Sequence, residues 1–411
     1  MTNPKIRFSG YTDAWEQRKF DEWGEFYYGR SCPKWSVTED ATIPCIRYGE
    51  LYTKFGAKID KVYSYTSMSP ENLRFSKGTE VLIPRVGEDP MDYNHCTWLS
   101  LKDVAIGEMI SVFNTDQDPL FSATMFNATL QKEFAVRVEG GSVTNLYFDK
   151  LRNIEISYPS LDEQKKIASF FEKIDNLITL HQRKCDETKE LKKFMLQKMF
   201  PKNGEIKPEI RFAGFTDDWE QRKVTELGEI YIGLVTTMTS HYTDHGALLI
   251  RNSDIKDGRF EFGDNPIYLD DDFAKQNASR KHKVGDVITV HTGDIGTSAV
   301  ITEKEAGSIG FATIVTRPNK EKITSKYLCA YLNTDTHKNF AMNISTGDGR
   351  NNYNLKDYYE CIVPLPSLAE QEKISCFIDE LNNLITLHQR KCDKLKELKT
   401  YMLQNMFPKR G

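Results

Sequence analysis

The side chains best suited to chemistry in this sequence are cations and amides that cluster in two loops of its second half. Lysine and arginine neutralise phosphates, and arginine and asparagine can read guanine and adenine through paired hydrogen bonds in the major groove of DNA. These candidates are Arg280, Lys281, Lys283, Arg350, Asn351, Asn352 and Tyr353. A solvated turn for the first group and a structural loop for the second are the alternatives.

Comparable cations occur in the first half of the chain. They are Arg30, Lys34, Arg47, Lys77 and Arg85. Arg47 ends a short apolar run that starts at Ile43, and Arg251 ends a similar run that starts at Ala247, so a shared structural role is the alternative for these two arginines. With Arg251 included, the pattern predicts a DNA contact in each half of the chain.

The sequence lacks the motifs that catalysis on nucleotides or DNA would need. It contains neither the GxxxxGK[ST] phosphate loop nor the HExxH metal motif. The run Asp-Asn-Pro-Ile-Tyr from Asp264 lacks the second proline of an amino-methyltransferase loop. We therefore expect a chain with no catalytic residues, no metal site and no cofactor of its own.

Composition is typical of a folded protein of two or three domains. Of 411 residues, 39% are hydrophobic and 28% charged, and the eight cysteines form no CxxC pair. Apolar stretches are too short to span a membrane, and the first residues do not resemble a secretory signal, so we expect a cytoplasmic protein without membrane contacts. Because the net charge is −4, any DNA contact must use local basic faces, with other subunits supplying part of the attraction.

The chain repeats itself. The segment PKIRFSGYTDAWEQRK from Pro4 returns as PEIRFAGFTDDWEQRK from Pro208, and PSLDEQKKI from Pro159 returns as PSLAEQEKI from Pro366. The order is therefore variable, constant, variable, constant. Joining the end of the chain to its start would recreate the central junction, so two equivalent units follow each other in a circular arrangement.

Each constant block predicts one long amphipathic helix. Ser160 with Glu163 and Ser367 with Glu370 have the spacing of a capping box, and neither helical stretch contains glycine or proline. A helix this long needs a partner for its apolar stripe, and two units related by an approximate two-fold axis would pair these helices antiparallel. The predicted pairing residues are Ile167, Phe170, Ile174, Leu177, Ile178, Leu191, Ile374, Phe377, Leu381, Leu384, Ile385 and Leu398.

The predicted fold class is α+β, with two globular domains separated by two long antiparallel helices that form a coiled-coil spacer. Both variable segments show short strands, a helix and a glycine-rich loop in a common order. The predicted boundaries are 1–158 for the first domain, 159–202 for the first helix, 203–207 for a linker, 208–365 for the second domain and 366–411 for the second helix.

This layout resembles the specificity subunit of type I restriction–modification systems, and the run PLPSLAEQEKI that ends at Ile374 is its most distinctive part. The resemblance implies that each variable domain recognises one half of a bipartite, asymmetric DNA site. It also implies that the helices set the gap between the half-sites and dock two modification subunits. Those partners would carry S-adenosylmethionine and methylate adenine at N6, and restriction subunits would supply ATP- and Mg-dependent translocation and cleavage.

Two other interpretations stay open from the sequence. A diverged methyltransferase or nuclease would bind S-adenosylmethionine or cut DNA by itself. A scaffold without DNA would use the paired helices to join two protein-binding domains.

Overall fold

The computed structural model describes residues 3–202, 204–345 and 351–408. The chain divides into two compact units, one formed by residues 1–181 and 391–411 and the other by residues 182–390. Both boundaries between the units fall inside long helices. The domain boundaries expected from the sequence stay predictions.

In the part of the first unit that the structure describes there are fourteen short strands and three short helices. The strands are β1 (Glu16–Lys19), β2 (Gly24–Tyr28), β3 (Ile43–Ile46), β4 (Lys58–Ile59), β5 (Ser64–Thr66), β6 (Phe75–Lys77), β7 (Glu80–Pro84), β8 (Val86–Gly87), β9 (Thr97–Leu99), β10 (Lys102–Ile106), β11 (Ile110–Thr115), β12 (Glu139–Gly140), β13 (Thr144–Asn145) and β14 (Glu155–Tyr158). The helices are α1 (Tyr48–Thr53), α2 (Pro119–Thr129) and α3 (Gln131–Ala135).

Two sheets carry most of this unit. One has the order β2-β11-β7-β9-β4 and the other β5-β3-β10-β6. In the first sheet β11 pairs antiparallel with both β2 and β7, and in the second β10 runs parallel to β3. The aromatic side chains of Phe20, Phe113 and Phe126 pack against one another in the core, which buries the apolar faces of β11 and α2.

The first long helix, α4 (Leu161–Lys198), has 38 residues and is therefore about 57 Å long at 1.5 Å per residue. Its start is tied to the first unit by Gln164. The side chain of Gln164 accepts a hydrogen bond from Asp118 N (3.0 Å) and donates to Pro159 O (2.8 Å). The same motif recurs at the second helix, where Gln371 accepts from Thr324 N (2.9 Å).

The second unit repeats this plan, with twelve strands and four short helices among its described residues 182–202, 204–345 and 351–390. The strands are β15 (Glu220–Lys223), β16 (Gly228–Ile232), β17 (Tyr242–Thr243), β18 (Ala247–Arg251), β19 (Ile255–Lys256), β20 (Arg259–Phe260), β21 (Tyr268–Leu269), β22 (Val287–Thr289), β23 (Ser298–Val300), β24 (Ile309–Phe311), β25 (Ile314–Pro318) and β26 (Ile362–Leu365). The helices are α5 (Asp271–Gln276), α6 (Ser325–Leu332), α7 (Asp335–Ile344) and α8 (Leu355–Tyr358), and the long helix α9 (Leu368–Asn405) follows.

The sheets of the second unit correspond to those of the first. Strands β16-β25-β22-β23 form one sheet and β17-β21-β18-β24 the other, with β18 parallel to β24. A short antiparallel pair joins β15, the first strand of the unit, to β26, the strand that precedes α9, as β1 pairs with β14 in the first unit.

The two long helices pack antiparallel within each unit. In the first unit Asp175 of α4 contacts Lys399 of α9, and Phe171 stacks on Phe407. In the second unit the thiol of Cys185 lies 3.8 Å from Ile385 O. Residue numbers rise along one helix as they fall along the other, which defines the direction of pairing.

The seam between the helices is shifted by one residue from part of the predicted stripe. Buried or half-buried positions recur at alternating spacings of four and three. They are Ile174, Ile178, His181 and Cys185 in α4 and Leu381, Ile385, His388 and Cys392 in α9. Ile167 and Ile374 are buried as well, and Phe170 and Phe377 pack at the edge of the cores. The prediction was wrong for four leucines, which are 43–45% exposed because they lie on the next face of the helix: Leu177, Leu191, Leu384 and Leu398.

A candidate nucleic-acid interface

Four arginines gather around one turn in the first unit, residues 106–109 between β10 and β11. The backbone N of Arg30 donates to Ile106 O (2.7 Å), and Ile106 N donates to Arg74 O (2.9 Å). Arg85 donates from its backbone N to Met109 O (3.3 Å) and from Nη1 to Glu108 O (3.3 Å).

Arg47 completes this arginine cluster of Arg30, Arg47, Arg74 and Arg85. Gly107 N donates to Ile46 O (2.9 Å), and a Cβ placed on Gly107 would lie 3.6 Å from the Cα of Arg47. The sheet topology therefore brings together cations that are up to 55 residues apart in the chain.

The arginine cluster is held by aromatic rings. Arg85 lies over the rings of Tyr28 (4.8 Å) and Tyr147 (5.5 Å), and Arg74 lies over the ring of Tyr27 (4.9 Å). Burial raises the pKa of Tyr27, so its hydroxyl stays protonated and the ring carries no competing charge. Cation–π packing of this kind fixes an arginine without neutralising it.

No carboxylate forms an ion pair with the described arginines of the cluster, although Glu108 belongs to the turn itself. Within residues 3–202, the ion pairs of the first unit involve other cations, and none joins a guanidinium of the arginine cluster to an acidic side chain. Arg30 and Arg74 are exposed. Four arginines around one turn, two of them exposed, are suited to binding the phosphate backbone of a nucleic acid.

The remaining predicted cations of the first unit lie near this turn in the chain but outside the cluster. Lys34 is exposed in a short helical turn that follows Arg30. Lys77 is exposed at the end of β6, where it pairs with Lys102 of β10.

The second unit repeats one element of the arginine cluster. Nη1 of Arg280 donates to Ile232 O (2.9 Å), just as Nη1 of Arg74 donates to Tyr28 O (2.9 Å). Arg280 also lies over the ring of Tyr231 (5.6 Å), which matches Arg74 over Tyr27. Arg280 and Arg74 therefore hold the same position in the two units.

Of the other predicted cations of the second unit, one has its charged group paired with a carboxylate. Arg251 forms two hydrogen bonds to Asp254, Nε to Oδ2 (3.0 Å) and Nη2 to Oδ1 (2.8 Å), which supports the structural alternative considered for it. The backbone of Lys281 pairs with Ile309, and its side chain is half-buried. Lys283 is exposed, with its backbone N held by Asp286 (2.8 Å).

The amide-rich loop presents one fixed and one exposed asparagine. Asn352 accepts a hydrogen bond from the hydroxyl of Thr292 (2.9 Å), and Asn351 is exposed. Tyr353 was wrongly expected to contact DNA: its side chain is buried in the core, where its hydroxyl lies 3.2 Å from Nε2 of His337. Arg350 lies outside the described residues.

Histidines beside these loops are neutral. Burial lowers the pKa of His282 to about 4, and Nδ1 of this ring lies 2.8 Å from the Ser308 hydroxyl. Burial also lowers the pKa of His291, whose backbone N donates to Asn252 Oδ1 (2.8 Å). The positive charge of this region near neutral pH therefore comes from arginine and lysine alone.

The sequence interpretation missed Arg74 because it stands alone in the chain. The available signal was the internal repeat: Arg74 precedes Lys77 by three residues, and Arg280 precedes Lys283 by three. Aligning those two segments would have added Arg74 to the candidates.

Two searches of the described residues gave negative results. Among residues 3–202, 204–345 and 351–408 there is no group of three or more His, Cys, Asp or Glu side chains placed to hold a metal ion. In the same ranges, every helix is too short or too polar to cross a bilayer.

Comparisons with known proteins agree with this architecture. A specificity subunit of the type I restriction enzyme MjaVIII from Methanocaldococcus jannaschii is 23% identical over 265 residues, which span 60% of this chain and 60% of that relative. This chain therefore matches less than two thirds of the relative's length. The S subunit of a type I restriction–modification system from M. genitalium has the same fold, with a TM-score of 0.63, 14% identity and complete coverage of both chains.

A chain from a structural study of complex assembly and conformational transition of the type I R-M system gives a TM-score of 0.53 at 17% identity, over 97% of this chain and 99% of that one. The sequence profile of the type I restriction modification DNA specificity domain matches residues 102–190 and 216–397, about two thirds of the chain. The chain belongs to the family of type I restriction modification DNA specificity domains.

Proposed function

We propose that this chain is the DNA-recognition subunit of a type I restriction–modification complex, in which each unit recognises one half of a bipartite, asymmetric site. The observation that carries the proposal is the arginine cluster, whose four cations lack acidic partners among the described residues of the first unit. When protein cations neutralise DNA phosphates, the counterions condensed on the duplex are released, and this release favours binding.

The two units are expected to recognise different sequences. Arg74 and Arg280 hold the same position and are suited to the phosphate backbone, which carries no sequence information. Where the first unit has Arg30 and Arg85, the second has Leu234 and His291. Different side chains on a shared frame give different base preferences, so the recognised site is asymmetric.

We assign the chain no catalytic role. S-adenosylmethionine would be bound by modification subunits, and ATP with Mg by restriction subunits, so this chain needs no cofactor. The eight cysteines are free thiols, which fits a reducing compartment and therefore a cytoplasmic assembly.

The exposed apolar side chains of the long helices are the proposed docking surface for modification subunits. In the first unit these are Leu177, Leu180, Leu398 and Tyr401, and in the second Leu384, Leu387, Leu191 and Phe194. Because Asp175 contacts Lys399 in an antiparallel pair, Leu177 lies at the level of Leu398. Exposed apolar sets of this kind mark protein interfaces, and two equivalent sets suit two copies of one partner.

The long helices are also the proposed ruler for the site. Insertion of one helical turn into α4 and the matching turn into α9 is expected to lengthen the unread gap between the half-sites. An unchanged gap would contradict the ruler.

The test is methylation mapping. Cells that express this chain with its modification subunits are expected to gain N6-methyladenine in one bipartite motif, and cells without this chain to lack it. Arg74→Ala combined with Arg30→Ala should lower methylation at least tenfold. Arg18→Ala, which removes an exposed arginine paired with Glu16, is the matched control and should leave methylation unchanged. Methylation that does not depend on this chain would refute the proposal.

A further inference from the structure

One aromatic side chain of the first unit stands in solvent on a rigid support. Trp35 is 72% exposed, whereas Trp15 and Trp219 are buried, and Trp23 and Trp98 are half-buried. Tryptophan has a large apolar surface and is usually mostly buried. An exposed tryptophan beside an anion-binding surface therefore suggests that a ligand covers its ring.

The turn that carries Trp35 is fixed by its neighbour, Ser36. This serine is fully buried; its backbone N and its hydroxyl both donate to Pro33 O, at 3.0 and 2.8 Å. The hydroxyl of Thr66 donates to Ser36 Oγ (2.8 Å), and Ser67 N donates to Ser36 O (2.8 Å). Four hydrogen bonds thus hold the backbone next to the exposed ring, so the place from which Trp35 projects is fixed.

The same loop begins at the arginine cluster. Arg30 contacts the turn of residues 106–109, and the Cβ of Cys32 would lie 3.9 Å from a Cβ on Gly107. Lys34 directly precedes Trp35 and is exposed, and the acidic Glu39 and Asp40 follow four and five residues after the ring. Two exposed cations, Arg30 and Lys34, therefore precede the ring within five residues of chain.

We propose that Trp35 inserts between the bases of the first half-site and unstacks one base step. This inference rests on the function proposed above and adds the contact that the first unit makes with the stacked bases. Arginines on the backbone with an apolar wedge in the stack form a recurrent pair in DNA recognition. A base stacked on an aromatic ring suits Trp35 because such stacking needs no hydrogen-bond partner on the protein.

The second unit lacks this wedge. Its corresponding short turn, Thr239–His241, carries no tryptophan, and His241 stacks on Phe273 and contacts Asp270 (2.8 Å). Val235, in the same loop, is 70% exposed but is too small to replace a base in the stack. Unstacking is therefore expected in the first half-site alone.

The experiment uses the full chain in complex with its modification subunits and a duplex that contains the mapped site. Two quantities are measured: the affinity for the duplex, and the permanganate reactivity of thymines, which rises when a base is unstacked. Trp35→Ala should weaken binding about 10- to 100-fold and abolish reactive thymines in the first half-site, while Trp35→Phe should keep most of both. Val235→Ala is the matched control for an exposed apolar residue and should change neither.

The outcomes separate the two proposals. If the wild-type complex binds its site and Trp35→Ala matches it in affinity and thymine reactivity, the wedge is refuted and DNA recognition stands. If the wild-type complex does not bind the duplex, the proposed function itself fails. Because Trp35 is exposed, the melting temperature of Trp35→Ala should equal that of the wild type, which excludes misfolding as the cause of a loss.

Discussion

Arg7 and Glu163 are 156 residues apart in the chain and form two parallel hydrogen bonds, from Nε and Nη2 of the guanidinium to the two carboxylate oxygens, each 2.7 Å long. Glu163 is fully buried at the start of α4, so the pair fastens the first residues of the chain to the first turn of the helix. Arg211 and Glu370 repeat this contact in the second unit (2.7 and 2.8 Å). The glutamate expected to cap its own helix instead binds an arginine from the preceding repeat.

Arg7→Ala should destabilise the first unit by about 3 kcal/mol, because it leaves the Glu163 carboxylate buried without its counterion. Urea unfolding monitored by circular dichroism measures the change. The matched control is Arg18→Ala, whose pair with Glu16 is exposed and contributes less than about 1 kcal/mol. Equal losses in the two variants would contradict a special role for Arg7. The repeated segment that begins at Pro4 would then not stabilise the first unit.

Leu177→Glu together with Leu398→Glu should weaken binding of a modification subunit to the first unit at least tenfold, because a carboxylate would be buried in an apolar interface. Analytical ultracentrifugation of the mixed subunits should show a complex with one modification subunit where the wild type binds two. Glu substitutions at Thr179 and Thr400, two exposed helix positions of the first unit outside the apolar set, serve as controls and should retain both partners. A variant that still binds two would place docking elsewhere.

The helices could be predicted from the sequence because their signals are local: a proline, a capping serine and an unbroken amphipathic run. The leucines that lie between the helices could not be predicted. A buried seam with spacings of three and four and a neighbouring exposed apolar stripe give the same sequence pattern, and only the partner helix distinguishes them. Leu177 and Ile178 are adjacent apolar residues, and only the packing of α9 decides that Ile178 faces inward. The exposed leucines that made the seam ambiguous form the surface proposed for docking.

The cation site was predictable only in part, for a related reason. Arg30, Arg47 and Arg85 were candidates as cations comparable to those of the second half of the chain. That they surround one turn depends on the pairing of β10 with β3 and on the turn that joins β10 to β11, which the sequence does not show. Tyr353 shows the opposite error. Its neighbours are polar and suggest a surface loop, while the tyrosine itself turns inward to His337.

Stability of the second unit should fall as the pH drops from 6.5 to 4. Burial lowers the pKa of His337 to about 4, and Nδ1 of the ring donates to Leu332 O (2.7 Å). In the unfolded chain this histidine takes up a proton below about pH 6.5, whereas the folded state resists protonation until about pH 4, so acid favours unfolding. The contribution of His337 is at most about 3 kcal/mol and is fully present above pH 7.

Urea unfolding at pH 7 and at pH 4.5 tests this linkage. The wild type should lose stability between the two values, and His337→Gln should be less stable at pH 7 but lose less on acidification. His245→Gln is the control, since His245 is fully exposed beside Asp244 and its pKa is raised by that carboxylate. If wild type and His337→Gln lose the same free energy of unfolding between pH 7 and pH 4.5, protonation of His337 does not cause the loss.

Lys192 of α4 supplies the last prediction, because its repeat equivalent has a different partner. In the first unit Lys399 pairs across the helices with Asp175. In the second unit the residue that corresponds to Asp175 is Asn382, and Lys192, nearly buried, instead binds Asp257 of the turn between β19 and β20 (2.7 Å). In the second unit this lysine therefore joins the β19–β20 hairpin to α4, whereas the equivalent lysine of the first unit joins the two long helices.

Asp257→Ala should destabilise the second unit by about 1–3 kcal/mol, since the Lys192 ammonium loses its partner where solvent access is small. Adding Asn382→Asp to that variant should restore most of the loss by recreating the helix-to-helix pair. Asn383→Asp, one residue further and on the exposed face, should restore nothing. Hydrogen exchange of β19 and β20 separates the two effects: the double variant should regain global stability while its hairpin exchanges faster than in the wild type. If Asn383→Asp rescues as well as Asn382→Asp, then added negative charge, and not the geometry of the repeat, decides where Lys192 binds.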